Sequence, residues 1–358
     1  MTSIPSKMRA VVLTGHGGMD KLEFHSDWPV PAPAEGEMLV RVHACGMNNT
    51  DVNTRTAWYS QSGGADGADA AWGGGALAFP RIQGADVAGT VVAAGAGADA
   101  KWIGQRVLID PWLRDWNAPD DLGKYGYFGS ECDGGFADYT TVDQRQVHAV
   151  DCDLSDAELA TFATPCVTAE NMLRLAAVGA GDTVLVPGAS GGVGSALIQL
   201  AHRRGARSVA MCAAGKTDAV AALRPAAVLP RAPADLKAEL RAAIGAEEVS
   251  VVADVVGGAL WPDLIGALSH GGRYVCAGAI AGHLTEFDLR PFYLRSLTFH
   301  GAAAAPPGVF ADVAGCIERG EIKPLLAKTF PLKDLHAAQQ AFMDKKHTGN
   351  IVVTMEAD

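Results

Sequence analysis

TVLVPGASGGVGSALIQLA, residues 183–201, reads as strand, glycine turn and helix in immediate succession. The apolar run up to Val186 predicts a buried strand, and SALIQLA continues with helical spacing. Gly188, Gly191 and Gly194 mark the turn between them. Gly191 and Gly192 let backbone N–H groups approach a pyrophosphate, and Gly194, lacking Cβ, lets the helix pack tightly on the sheet. The helix N-terminus adds unpaired donors and partial positive charge. Gly188, Ala189, Ser190, Gly191, Gly192, Val193 and Gly194 therefore form a candidate dinucleotide site. The spacing is a variant of G-x-G-x-x-G, and a tight turn without a ligand is the alternative.

Downstream, SVAMCA, AAVLP, VSVVADVVGG and RYVCAGA read as strands, with DLKAELRAAIG and LWPDLIGALSHGG as helices between them. Continuous apolar strands alternating with amphipathic helices predict a parallel sheet covered on both faces. LTFHGA at 297–302 reads as a further edge strand. An acid about 20 residues past the glycine turn would hold the ribose 2′-OH of NAD. Here MCAAGKTDAV has no acid at the strand end, and Lys216 follows. A missing carboxylate beside a cation suits a 2′-phosphate, so NADP (as NADPH) is expected over NAD. The alternative for Lys216 is a solvated lysine at a helix start.

Upstream, the character is different. MRAVVLT (8–14) and EMLVRVHAC (37–45) predict strands around a Pro-rich turn, VPAPAEGE. GADVAGTVVAAGAGA and WIGQRVLI suggest a compact, bent, barrel-like β domain. Residues 61–79, QSGGADGADAAWGGGALAF, form a long loop that is either a cover over a site or a surface insertion. Ser155-Asp-Ala-Glu158 is a capping box opening a helix. A break is expected at Pro165, then a helix over VTAENMLRLAAV. VFADVAGCIERGEI and LHAAQQAFMDKK read as helices and GNIVVTM as a closing strand, a tail suited to returning to the first domain. The expected domains are 1–154, 155–303 and a return segment, 304–358.

The 358 residues are 49% hydrophobic, enough for two domains with substantial cores. A net charge of −11 with no basic block argues against a nucleic-acid partner. No secretory signal or membrane span is expected. The 7 cysteines, without a C-x-x-C pair, read as buried thiols of a reducing cytoplasm.

In their order along the chain, these pieces resemble the medium-chain dehydrogenase/reductase superfamily, and within it the zinc-free branch typified by quinone oxidoreductases. The resemblance covers nearly the whole chain. It rests on MRAVVLTGHGG, VRVHACGMNNTDV, GADVAGTV and DGGFADYTTV in the first domain, and on CVTAENML, GASGGVG, DVVGG and GGRYVCAG in the second. LTFHGA, IKPLLAKTFPL and HTGNIVV complete it. It implies an α/β protein: a GroES-like β-rich catalytic domain plus a Rossmann doubly wound parallel sheet, with the active site in the cleft between them. It also implies a homodimer, with LTFHGA as a plausible pairing strand. Zinc-dependent members carry a Cys in a pattern resembling A-x-G-[VI]-C-x-[TS]-D, where this chain has Asn48. Their His-Glu after Gly is Ala85-Asp86 here, and their third ligand position is Thr164, with Cys166 two residues off register. The four-cysteine structural-zinc loop is missing. A catalytic zinc wants three N, S or O protein ligands, so none is expected.

Without a Lewis acid, reducing an electron-poor acceptor is easier than oxidising an unactivated alcohol. A quinone or enone delocalises the incoming charge, and one or two donors near its oxygen suffice. Asn48 and Tyr59 are the candidate donors. Tyr59 follows DVNTRTAW, where the resemblance implies a tyrosine lining the active site. Asp51 orients neighbouring groups or satisfies local backbone donors. By family position, Thr168 lies near the nicotinamide. Asp254, Val256 and Gly257 end the fourth Rossmann strand, where ligands sit, and Ala277, Gly278, Ala279 and Ile280 pass near the nicotinamide amide. Relatives carry Lys or Arg after the Gly of the closing strand, whereas Gly349 precedes Asn350 here. The expectation is a zinc-independent, NADPH-dependent oxidoreductase acting on a small quinone, enone or related activated alkene. The alternatives are an enoyl-thioester or alkenal reductase of narrow range, a zinc-dependent alcohol dehydrogenase-like enzyme, and a non-catalytic NADPH-binding sensor or structural protein.

Overall fold

The computed structural model describes residues 4–61, 67–121 and 123–355. The chain divides into two compact units. One is Met1–Thr164 with Pro306–Arg319 and Pro324–Asp358, and the other is Pro165–Ala305 with Gly320–Lys323.

The spine of the first unit is the strand Glu37–Gly46, whose apolar residues from Met38 to Cys45 are buried on both faces. It pairs antiparallel with Asp86–Ala94, Tyr139–Asp143 and the closing strand Asn350–Thr354. Register shifts at Leu39/Val40 and Val42/Ala44 bend the spine, as bulges do in barrel-like sheets. The tail thus returns to the first unit: Val353 pairs with Cys45, and Leu332, Leu335 and Phe342 enter its core beside Val40, Val87, Ile109 and Phe136. Each such apolar side chain stabilises by about 1.5–3 kcal/mol on burial. Leu22–Pro29 forms a strand with no counterpart in the sequence reading, paired with Lys7–Leu13.

The second unit holds six parallel strands. Their spatial order is Ala227–Pro230, Arg207–Cys212, Thr183–Val186, Val249–Asp254, Leu268–Cys276, Thr298–Gly301. Thr183–Val186, the first of them in the chain, therefore lies at the reversal of strand order, where doubly wound sheets open a ligand crevice. The helix Gly192–Arg203 buries Ala196, Leu197, Ile198, Leu200 and Ala201. As LTFHGA predicted, Thr298–Gly301 is an edge strand. The segment before it leaves Leu284, Leu289, Tyr293 and Leu294 exposed.

Two local expectations are corrected. The capping box is present, with Glu158 Oε2 accepting from Ser155 N at 2.9 Å. Its helix is one turn, Asp156–Leu159, and it packs on the first unit's sheet. Gly46 permits that contact, because a Cβ there would stand 2.0 Å from Ala160 O. The first compact unit runs on through this turn to Thr164. Pro165 does not break a helix either. It sits in the first turn of Ala163–Leu175, where an N–H would have no helical acceptor. Among the described residues, no helix is long and apolar enough to cross a membrane.

Candidate active site

In the second unit, Thr183–Val186 runs into Gly188, whose φ of 66° lies in the left-handed region. Gly191 caps the helix that Gly192 opens. The N–H groups of Gly192, Val193 and Gly194 head this helix without intrahelical acceptors. Two neighbouring strand ends converge on the turn. A Cβ at Gly188 would meet Val256 Cγ2 at 2.9 Å. Ala277 N donates to Asp254 O at 3.1 Å, and Ala281 N to Val256 O at 2.8 Å. The fold thereby gathers Gly188–Gly194, Val256, Gly257 and Ala277–Ile280 at one end of the sheet. Asp254 is different. Its buried carboxylate accepts from Val256 N (2.7 Å), Gly257 N (3.2 Å) and Tyr274 OH (2.9 Å), so it holds the loop in shape. Thr168 is half-buried on the helix Ala163–Leu175.

At the ends of Arg207–Cys212 and Ala227–Pro230 lies a cavity of about 380 Å³, lined by Cys212, Ala214, Thr217, Pro230 and Arg231 among others. Lys216 adjoins it. Partial burial, with the charge of Arg231, holds the Lys216 ammonium below its usual pKa. The two cations follow the ends of adjacent parallel strands, Arg207–Cys212 and Ala227–Pro230. Arg231 escaped the sequence reading. Its signal was its place directly after the strand AAVLP, one strand over from the end that Lys216 follows.

In the first unit, Asn48 caps the helix Asn49–Arg55, and its backbone N donates to Asp51 Oδ2 at 2.7 Å. Asp51 and Asp86 are both buried. Burial pushes Asp51 up to about 7; the Asn48 N–H opposes the shift and the charge of Asp86 adds to it. Burial likewise raises Asp86 to about 6 against the pull of Asn48 and Thr164. Thr164 donates to Asp86 Oδ1 from its N at 3.0 Å and its Oγ1 at 2.5 Å. Tyr127 OH lies 2.6 Å from Thr164 Oγ1, and Thr50 Oγ1 is 3.3 Å from Tyr127 OH. Asn48 Nδ2 is buried next to this group without a well-formed hydrogen bond.

Asn48, Thr164 and Asp86 (beside Ala85) are thus gathered in one cluster, as the zinc-ligand positions of relatives would be. Its donors are an amide, hydroxyls, a phenol and carboxylates. Cys45 lies close by, but burial and the charges of Asp51 and Asp86 keep it a thiol. The positions that match the relatives' zinc ligands thus carry an amide (Asn48), a methyl (Ala85) and a hydroxyl (Thr164), none of them among the usual Cys, His or carboxylate donors. Among the described residues, no group of three or more His, Cys, Asp or Glu is placed to hold a metal.

Tyr59 follows the helix Asn49–Arg55, within reach of the charge of Asp51. Its hydroxyl accepts from Asn53 Nδ2 at 3.3 Å, and its ring packs on Trp72 at 4.7 Å. Trp72 also meets Trp112, Tyr125 and Tyr127. Tyr59, Asp69, Trp72 and Tyr125 border a cavity of about 340 Å³. The loop 61–79 therefore contributes a wall here, while its residues 62–66 lie outside the described part. Tyr127 belongs to both the aromatic group and the polar cluster.

Residues 34–152 match the alcohol dehydrogenase GroES-like domain family, and residues 226–353 match the zinc-binding dehydrogenase family. A Sinorhizobium meliloti 1021 protein provisionally described as an alcohol dehydrogenase is 44% identical, with a TM-score of 0.91 over 99% of this chain and 98% of that one. Human quinone oxidoreductase is 25% identical over 93% of both chains. A 2-octenoyl-CoA carboxylase reductase, solved with NADP and 2-octenoyl-CoA, is 25% identical with a TM-score of 0.85 over 98% of this chain and 88% of that one. With its GroES-like domain and its six-stranded Rossmann sheet, this chain belongs to the medium-chain dehydrogenase/reductase superfamily and is an NAD(P)H-dependent oxidoreductase.

Proposed function

We propose that the protein is a zinc-independent, NADPH-dependent reductase of quinones, enones or related activated alkenes. The observation that carries this reading is the polar cluster of Asn48, Thr50, Tyr127, Thr164 and Asp86, in which an amide and hydroxyls stand where a metal site would need Cys or His. Bound NADPH supplies the hydride. Gly188–Gly194 receives the pyrophosphate, Val256, Gly257, Thr168 and Ala277–Ile280 the nicotinamide end, and Lys216 with Arg231 the 2′-phosphate. Asn48 offers its buried amide N–H to the acceptor's carbonyl oxygen, where negative charge grows during reduction. Asp51 fixes Asn48 by accepting its backbone N–H. Tyr59, Trp72 and Tyr125 supply flat aromatic surface suited to a planar conjugated acceptor. An enoyl thioester is the second reading, favoured by the relative solved with 2-octenoyl-CoA.

The test is NADPH oxidation by metal-free protein against quinones, enones and enoyl thioesters, with NADH in parallel. One acceptor class should turn over, with NADPH preferred. Lys216→Ala and Arg231→Ala should each raise KM for NADPH by about tenfold or more and leave NADH unaffected, since each removes one charge-assisted contact. Turnover of alcohols only after zinc is added would overturn the reading. NADPH binding without turnover of any acceptor would favour the sensor. We further propose a homodimer in the cytoplasm, because an open edge strand lies beside exposed Leu284, Leu289 and Leu294 and the cysteines are free thiols. Sedimentation should give twice 37.1 kDa, and Leu289→Asp with Leu294→Asp should shift it toward the monomer. A wild type that sediments as a monomer refutes the dimer.

A further inference from the structure

We propose that Tyr127 is a buried proton relay joining the hydroxyl of Thr50 to the carboxyl of Asp86 through Thr164. This deepens the reductase reading and rests on it. The four groups come from four separate segments, yet their hydroxyls form one chain with links of 3.3, 2.6 and 2.5 Å. Thr50, at one end, is half-buried, while Tyr127 and Asp86 are 2% and 1% exposed. Every intermediate member both donates and accepts, so the chain can run in either direction. A phenol needed only for packing would not have to bridge two threonine hydroxyls.

Reducing a quinone to a hydroquinone with NADPH consumes one hydride and one proton. The hydride carries the electron pair from the nicotinamide and leaves an oxyanion on the acceptor. The Thr50 O–H bond then breaks as its proton passes to that oxyanion. Tyr127 reprotonates Thr50, Thr164 reprotonates Tyr127, and the carboxylic proton of Asp86 reprotonates Thr164. Asp86 is left as a carboxylate and regains its proton when the chain runs in reverse from solvent at the half-buried Thr50 after the product has left. The groups facing Asp86 are Asp51, Cys45 and Tyr127. Asp86 is raised to about 6 by burial, so near that pH a useful fraction is protonated and able to donate.

Tyr127→Phe keeps the ring and removes one O–H. It should lower kcat roughly 10- to 100-fold, at the lower end of general acid catalysis, and leave the Kd for NADPH within about twofold. In the wild type kcat should fall as pH rises through about 6, because the donor form of Asp86 is lost. Tyr127→Phe and Asp86→Asn should both abolish that step. If Tyr127→Phe fails to fold, Thr50→Val interrupts the chain at its half-buried end and should give the same fall in kcat, with Thr50→Ser restoring it. A variant with wild-type kcat and pH profile overturns the relay and leaves the reductase intact. A wild type that reduces no acceptor overturns both.

Discussion

Gly194→Ala is expected to abolish NADPH binding and to lower the melting temperature, whereas Gly191→Ala should remove binding alone. The two glycines stand in one turn but meet different constraints. A Cβ on Gly194 would lie 2.3 Å from Gly188 O, 2.7 Å from Ala189 Cα and 2.9 Å from Gly188 C. All three are backbone atoms of the turn, so none can rotate away. Forcing the methyl in costs about 1–3 kcal/mol and opens the turn that aims the helix N-terminus. At Gly191 the nearest atom is Gly188 O at 3.5 Å, and the φ of −85° is open to any residue. Alanine there leaves the fold alone and places a methyl where the pyrophosphate approaches. Fluorescence titration with NADPH and thermal melts of both variants separate the effects. Wild-type affinity in Gly191→Ala would mean that the phosphates do not pass over this residue.

Asp110→Ala should destabilise the first unit by about 3–5 kcal/mol, the cost of stranding a buried charge. The Arg114 and Asp110 side chains are 3% and 2% exposed, with Arg114 Nη1 2.7 Å from Asp110 Oδ2. Asp110 Oδ1 also accepts from Trp112 N at 3.1 Å, so the pair anchors a tryptophan of the aromatic group. Burial outweighs the guanidinium and pushes Asp110 up to about 6. The pair therefore stabilises the unit mainly by leaving neither charge alone. The melting temperature should fall by roughly 10 °C or more. Asp110→Leu combined with Arg114→Met should recover most of the loss, because apolar residues of similar volume replace such pairs at little cost. A double variant no more stable than Asp110→Ala would show that the polar contacts to Trp112, and not the stranded charge, set the penalty.

Most of the Rossmann unit was legible before any coordinates. Apolar runs such as VSVVAD and SVAMC are strands buried on both faces, and that property shows directly in composition. The glycine turn was legible because each glycine answers a local demand: a left-handed φ at Gly188 and a close backbone approach at Gly194. Asn48 and Asp51 were legible as neighbours because a helix cap joins positions three apart. Pro165 was misread because its effect depends on where the helix starts, which packing of the preceding turn decides.

Local order along the chain therefore determined most of the strand and helix series, the glycine turn and the missing acid beside Lys216, but it extended the helix Trp261–Gly266 into what is the strand Leu268–Cys276. Only the tertiary structure decided the partners. Tyr127 and Thr164 are 37 residues apart, and Thr164 and Asp86 are 78 apart. Arg231 reaches the neighbourhood of Lys216 only because parallel pairing sets their two strand ends side by side. Such contacts depend on which strands pair and in what register, and a slip of one residue turns every side chain to the opposite face. Pairing between distant segments is paid for by the burial of the whole core, so no short stretch of sequence carries it.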